Sequence, residues 1–255
     1  MHNIKLTLAY DGTEFHGWQI QPGQPTIQGA LTEVLRKVTQ ERLQVHAAGR
    51  TDAGVHALGQ VAHFKTHSEL TAGEFQRAFN ALLPPTIRVV AAEEVGPDFH
   101  ARWNAQAKTY EYRIYRGRVA PPFEWRFVLH YPFPLDEEAM MKAARVLEGE
   151  HDFTSFAASS GSEEEDRDRT TVRVIYSSEI RREGEELIYR VRGKSFLRYM
   201  VRKIVGTLIE VGKGKLKPEE IPALFELRDR SKSGMTMPPQ GLCMVAVEYP
   251  EPWKG

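Results

Sequence analysis

A chain of 255 residues is long enough for one large domain or two smaller ones, and it buries most of its apolar surface without a disulfide staple. Hydrophobic residues make up 41% and charged residues 27%, which excludes disorder over the whole length, and no run approaches the ~18 apolar residues of a membrane span. The formal net charge is +0, which by itself argues against a polyanionic partner.

The opening Ile4 to Tyr10 alternates with period two and predicts a half-buried strand, after which Asp11-Gly12-Thr13 turns the chain. Thr26 then caps a helix whose apolar stripe is Ile27, Ala30, Leu31, Val34, Leu35 and Val38. A second helix runs from about Thr71 to Leu83 with Phe75, Phe79 and Leu82 facing inward, and Pro84-Pro85 stops it. Strands are predicted over Ile87 to Val95 and over Lys108 to Arg116, where Tyr110, Tyr112 and Ile114 alternate with charged residues. Asp136 to Leu147 reads as an amphipathic helix, and Val172 to Arg181 with Glu186 to Arg192 as paired strands around Glu183-Gly184. Ser195 is placed to cap a helix through Val211, ended by Gly212 in a left-handed conformation. A short helix follows Pro218, and Met244 to Tyr249 forms a closing strand. The small, polar and acidic stretch from Ala157 to Asp168 reads as a mobile surface loop.

Hairpin-like neighbours predict an α+β fold with mainly antiparallel sheet and helices on one side. A boundary near residue 105 divides the chain into two comparable halves, 1–105 and 106–255. The lone cysteine, Cys243, cannot form an internal bridge, and the N-terminus lacks an apolar signal core, so a reducing, cytoplasmic setting is expected.

The charges segregate despite their balance. Residues 190–217 hold nine basic side chains against one acidic, and residues 136–168 hold eleven acidic against three basic. A polyanion responds to the local field, so the basic stretch can hold phosphates, although a pair of solvated faces would produce the same pattern.

The densest chemical signal is the run Ala48 to Gln60, in which Gly49, Gly54 and Gly59 suit a backbone that turns sharply or approaches a ligand closely. Arg50 and Asp52 flank Thr51 and would share one side of an extended segment. Asp52 either caps a turn or is a lone carboxylate kept ionised by an arginine and presented for nucleophilic or basic work. A second signal is the wide apolar stripe from Phe196 to Ile209, with Arg198 and Arg202 at i, i+4 on one face near its border. An arginine so close to a buried face calls for a carboxylate partner such as Asp52. Tyr110 and Tyr112 are core aromatics or an aromatic face for a flipped base. Gly193-Lys194-Ser195 is not a phosphate loop, because position 188 is Ile188, and no Cys/His cluster supports a zinc site.

These blocks resemble the bacterial tRNA pseudouridine synthase A family. The resemblance rests on Tyr10-Asp11-Gly12-Thr13, Gly17-Trp18-Gln19, Thr26-Ile27-Gln28-Gly29, the Gly49 to Phe64 run, Phe99-His100-Ala101-Arg102, Gly149 to Phe153, the Phe196 to Gly212 segment, Asp229-Arg230 and Gly241-Leu242, and so spans essentially the whole chain. It implies the pseudouridine synthase α+β fold, two halves meeting at a central cleft, acting as a homodimer without metal or cofactor. It also implies conversion of uridine to pseudouridine at positions 38, 39 and 40 of the tRNA anticodon stem-loop. On the matching positions, Asp52 would be the catalytic nucleophile or base, with Arg50 in its motif and Arg202 as its basic partner. Tyr110 would stack on the target uracil and Leu242 would pack nearby. Arg198, Lys203, Lys213 and Lys215 are expected to contact RNA. The chain departs from the family pattern at Gly193-Lys194-Ser195, at Tyr199 and at Cys243-Met244, none of which touches the expected catalytic positions.

Overall fold

The computed structural model describes residues 1–158, 170–251 and 253, so the expected acidic loop from Ala157 to Asp168 lies outside the described residues beyond its first two positions. The chain divides into two compact units, one of residues 1–108 with 243–255 and one of residues 109–242.

In the first unit, the period-two pattern of strand β1 (His2–Tyr10) sends Ile4, Leu6, Leu8 and Tyr10 into the core. On one side β1 pairs antiparallel with β4 (Ile87–Val95) and on the other with β3 (His56–Thr66), in register Ile4↔Phe64 and Leu8↔Gln60. A bulge between Leu8 and Tyr10 shifts the ladder where it approaches the glycine-rich run. The two-residue β2 (His46–Ala47) pairs with β3 antiparallel, and β10 (Leu242–Glu248) pairs with it parallel through Cys243↔His56 and Met244↔Ala57. The order is therefore β4-β1-β3-β10. Helix α1 (Ile27–Thr39) starts at Thr26, whose hydroxyl accepts from Gly29 N. Helix α2 (Ala72–Leu82) starts with a capping box between Thr71 and Glu74. Phe75 meets Phe64 edge-on at 5.1 Å and Phe79 lies 6.2 Å from the same ring, which docks α2 on the sheet. Leu82, expected to face inward, is instead 52% exposed and Leu83 is buried. The helix ends at Leu82, and Leu83 takes the extended backbone (ψ 149) favoured before Pro84, which turns its side chain in.

The second unit is built on strands in the order β5-β9-β8-β7. Strand β5 (Ala107–Tyr115) enters it from the first unit, and the others are β7 (Gly149–Asp152), β8 (Val172–Glu183) and β9 (Glu186–Gly193). β8 and β9 form an antiparallel hairpin that closes on Glu183↔Glu186, with Gly184 at φ +55 in its turn. The short β6 (Leu129–His130) pairs parallel with β5. Helix α3 (Glu137–Val146) is capped by Asp136, which accepts from Ala139 N. Helix α4 (Met200–Gly212) departs from expectation at both ends. Ser195 is not its cap. Tyr199, in the left-handed region at φ 61, breaks the helical backbone, so the helix begins only at Met200 and Arg198 lies outside it. Gly212 is the last helical residue, and the left-handed glycine is Gly214 at φ +71. A Cβ on Gly212 would sit 2.6 Å from Met140 Sδ, so glycine there serves the close approach of α3 and α4. A 3-10 turn at Pro218–Glu220 leads into α5 (Ile221–Leu227). Both units combine helices with mostly antiparallel strands, the α+β class that the sequence pattern predicts.

Candidate active site

The glycine-rich run becomes a loop between β2 and β3, held by main-chain and buried side-chain hydrogen bonds at almost every residue. Ala48 N donates to Val61 O (2.7 Å), and Gln60 Nε2 donates to Gly49 O (2.8 Å). Trp18 N donates to Thr51 O (3.0 Å), and Gly54 N donates to Phe15 O (3.2 Å). Val55 N closes a turn on Asp52 O at 3.1 Å. The Thr51 side chain points inward, with its Oγ1 2.8 Å from the Tyr10 hydroxyl. Burial pushes the Tyr10 phenol up to about 12, against the opposing pull of its bonds to Thr51 and Gln60, so it remains a neutral hydroxyl at pH 7.

The segment from Gly12 to Trp18 braces the loop from behind. Gly12 packs on the backbone of Val55, and Gly17, at φ +87, packs on that of Thr51, where an added Cβ would lie 2.7 Å from Thr51 O. The first N–H groups of α1 donate to this segment in turn, Ile27 N to Gly17 O and Gln28 N to Trp18 O. His56 Nδ1 accepts from Gly12 N at 3.0 Å and lies 3.3 Å from Asp11 Oδ1, which ties the segment to the first residue of β3. The result is a rigid loop that buries Thr51, leaves Asp52 half-buried and projects Arg50 into solvent. Arg50 makes no ion pair among the described residues.

The other expected site residues belong to the second unit. Tyr110 lies on β5, is 7% exposed and meets the Phe196 ring in a T-shape at 5.1 Å. Arg202, in the first turn of α4, donates from Nε to Met237 O at 2.6 Å and has its Cζ 4.9 Å from the centre of the Tyr199 ring. Arg198 covers the same ring at 4.8 Å, so one left-handed tyrosine organises both guanidinium groups by cation–π contact. Leu242 is buried at the start of β10. Lys203 donates to Arg230 O at 2.8 Å, and burial, with the neighbouring Arg230 charge, holds its ammonium below the usual lysine range. Lys213 and Lys215 share Glu210, at 2.8 and 3.5 Å, so the turn after α4 carries less free charge than its sequence suggests.

Tyr10 and Gln60 lie inside the motif blocks but carry no role there that the sequence assigns, and Lys108 lies outside every motif. Lys108 is 7% exposed and packs its methylenes against Gly49, whose Cβ position is 3.3 Å from Lys108 Cε. Its signal lay in the alternation itself, since a lysine occupies the same period-two register as Tyr110 and Tyr112. Among the described residues, no group of three or more His, Cys, Asp or Glu is placed to hold a metal ion.

Residues 7–104 and 143–250 match the family described as tRNA pseudouridine synthase, and the chain belongs to it. It is thus an isomerase that makes pseudouridine, built on that family's α+β fold. The chain is 51% identical over 250 residues to the tRNA pseudouridine synthase A of Solibacter usitatus, covering 98% of this chain and all of that protein. The tRNA pseudouridine synthase A of Brevibacillus brevis is 46% identical over 249 residues, and that of Caldicellulosiruptor bescii 42% over 249 residues, each with 98% of this chain and all of the relative covered.

Proposed function

We propose that this chain converts uridines 38, 39 and 40 of the tRNA anticodon stem-loop to pseudouridine, with Asp52 as nucleophile or base. The observation that carries this reading is the braced loop. Its backbone is fixed on both sides, so the Asp52 carboxylate is presented in one place rather than on a flexible turn.

The isomerisation breaks the N1–C1′ bond, turns the uracil and joins C5 to C1′. The C5 hydrogen is lost as a proton and N1 gains one, so no electrons leave the system and no redox partner is needed. The uridine must first leave its stack, at a cost of a few kcal/mol. Tyr110 supplies the ring to receive it, and Leu242 walls the pocket. On this reading Arg202, whose Nε donates to Met237 O and whose Cζ lies over the Tyr199 ring, is the cation assigned to keep Asp52 ionised. Arg50, exposed beside the aspartate, steers the RNA backbone, as do Arg198, Lys203, Lys213 and Lys215 on the second unit. Reaction at neighbouring positions fits recognition of shape and phosphates more than of bases.

The enzyme acts in the cytoplasm, where a lone Cys243 stays reduced, and as a homodimer, for which the exposed Val119, Phe123 (90%) and Trp125 supply apolar surface. Sedimentation at micromolar concentration tests the dimer. The reaction itself is tested with Asp52→Asn. This variant is expected to bind anticodon stem-loop RNA like the wild type while pseudouridine formation falls by at least about 10³-fold. Turnover retained in that variant removes Asp52 from the mechanism.

A further inference from the structure

The first unit contains a buried cation that the chemistry described above does not use. Lys108 is 7% exposed, yet no hydrogen bond or ion pair reaches its ammonium among the described residues. The Nζ is not among the sealed, unsatisfied side-chain atoms, so it still opens to solvent. The charge that acts on it is another cation, Arg102, itself exposed and without an ion pair among the described residues. A third, Arg50, follows directly after the glycine that Lys108 packs against. Burying an ammonium beside a like charge is costly, and nothing among the described residues of the unit offsets that cost. A bound anion would.

We propose that Lys108, packed against Gly49 of the loop, forms with Arg102 a site for a single RNA phosphate, the one adjoining the everted uridine. This rests on the reading of Asp52 as the residue that meets the target nucleoside. Gly49 is three residues from Asp52, at most about 10 Å along extended backbone, which is within the reach of one nucleotide. Glycine at 49 is part of the site, because any larger residue would push on the Lys108 stem. The lysine also explains how the site is tuned. Burial, and then the Arg102 charge, bring its ammonium down to about 8, so it is charged at neutral pH but loses its proton readily when no phosphate is present.

The test is equilibrium binding of anticodon stem-loop RNA as a function of salt and pH, alongside pseudouridine formation by the same preparations. Wild-type affinity should hold from pH 6.5 to about 8 and then fall, because the free protein must take up a proton to bind. Lys108→Met should bind about tenfold more weakly, with a shallower salt slope by about 0.7–0.9 and no fall above pH 8. A neutral methylphosphonate next to the target uridine should weaken the wild type and leave Lys108→Met unaffected. Arg102→Met, at an exposed position, should also lose salt slope while moving the pH break upward in part, since burial still depresses Lys108 but the Arg102 charge no longer adds to it. Wild-type slope and pH dependence in both variants would overturn the site. Asp52→Asn protein that binds RNA with the Lys108 signature yet keeps wild-type pseudouridine formation would instead overturn the reading of Asp52.

Discussion

Lys108 gives the structure a stability cost that can be measured without RNA. The lysine ordinarily titrates at 10.5 and is brought down to about 8 here, first by burial and then by the Arg102 charge. The gap corresponds to about 3 kcal/mol of destabilisation at neutral pH, an upper bound on what removing the charge can return. Lys108→Met keeps the apolar stem that packs on Gly49 and deletes only the ammonium. The variant should therefore be more stable than wild type at pH 7, by up to about 3 kcal/mol, or roughly 6–12 °C in a thermal scan. The sign with pH follows from proton counting. Between about 8 and 10.5 the unfolded chain keeps the Lys108 proton and the folded chain has lost it, so wild-type stability rises with pH across that window. The advantage of the variant should be full below pH 8 and gone above about 10.5. Urea unfolding of both proteins at pH 7, 9 and 10.5 is the assay. A variant that is less stable at pH 7, or whose advantage does not change with pH, would refute the claim that this ammonium is buried at a cost.

Gly17→Ala should destabilise the first unit by about 1–3 kcal/mol, because φ +87 and the 2.7 Å approach to Thr51 O both exclude a Cβ. Its turnover should fall further than its stability, since the strain is relieved by moving the residues that carry Asp52, and comparing kcat with urea midpoints separates the two effects. In the second unit, Asp152 accepts from Thr154 N, Thr154 Oγ1 and Thr171 Oγ1 and pairs with Arg228 at 3.0 Å. Burial opposes its ionised form, but these donors and the Arg228 charge win and hold its carboxyl below the usual range. A lowered carboxyl stabilises the fold above its unfolded pKa, and that contribution is lost as pH falls through the folded value. Asp152→Asn should thus be about 1–3 kcal/mol less stable at pH 7, and the difference should shrink as pH falls through the lowered folded-state value, as read by urea unfolding.

The structure also shows which physical signals a linear reading can carry. Strand β1, helices α1 and α2 and the β8–β9 hairpin are legible because their signals are local: alternation in Ile4 to Tyr10, a cap at Thr26, the Pro84-Pro85 stop after α2, a turn glycine at 184. The errors cluster where a local pattern has two structural uses. Gly212 has the position of a helix-ending glycine, yet it is small so that Met140 can approach, a demand made by another helix. Ser195 has cap chemistry, but Tyr199 takes a left-handed conformation that no rule for non-glycine residues anticipates and that stacks beneath Arg198 and Arg202. Leu82 and Leu83 exchanged roles because the helix stops one turn-fraction earlier than the apolar run.

By itself, then, the order of residues determined most of the longer elements, the α+β class and the glycine-rich run that carries Asp52, because hydrophobic period, capping and turn chemistry act over a few neighbours. Only the tertiary structure decided that β10 lies parallel to β3 in the first unit, that Gly12 and Gly17 brace the loop from thirty or more residues away, and that Lys108 is buried without a counter-charge among the described residues. Those outcomes depend on close contacts between segments remote in sequence, where packing and desolvation act and where no local pattern records which surface will meet which.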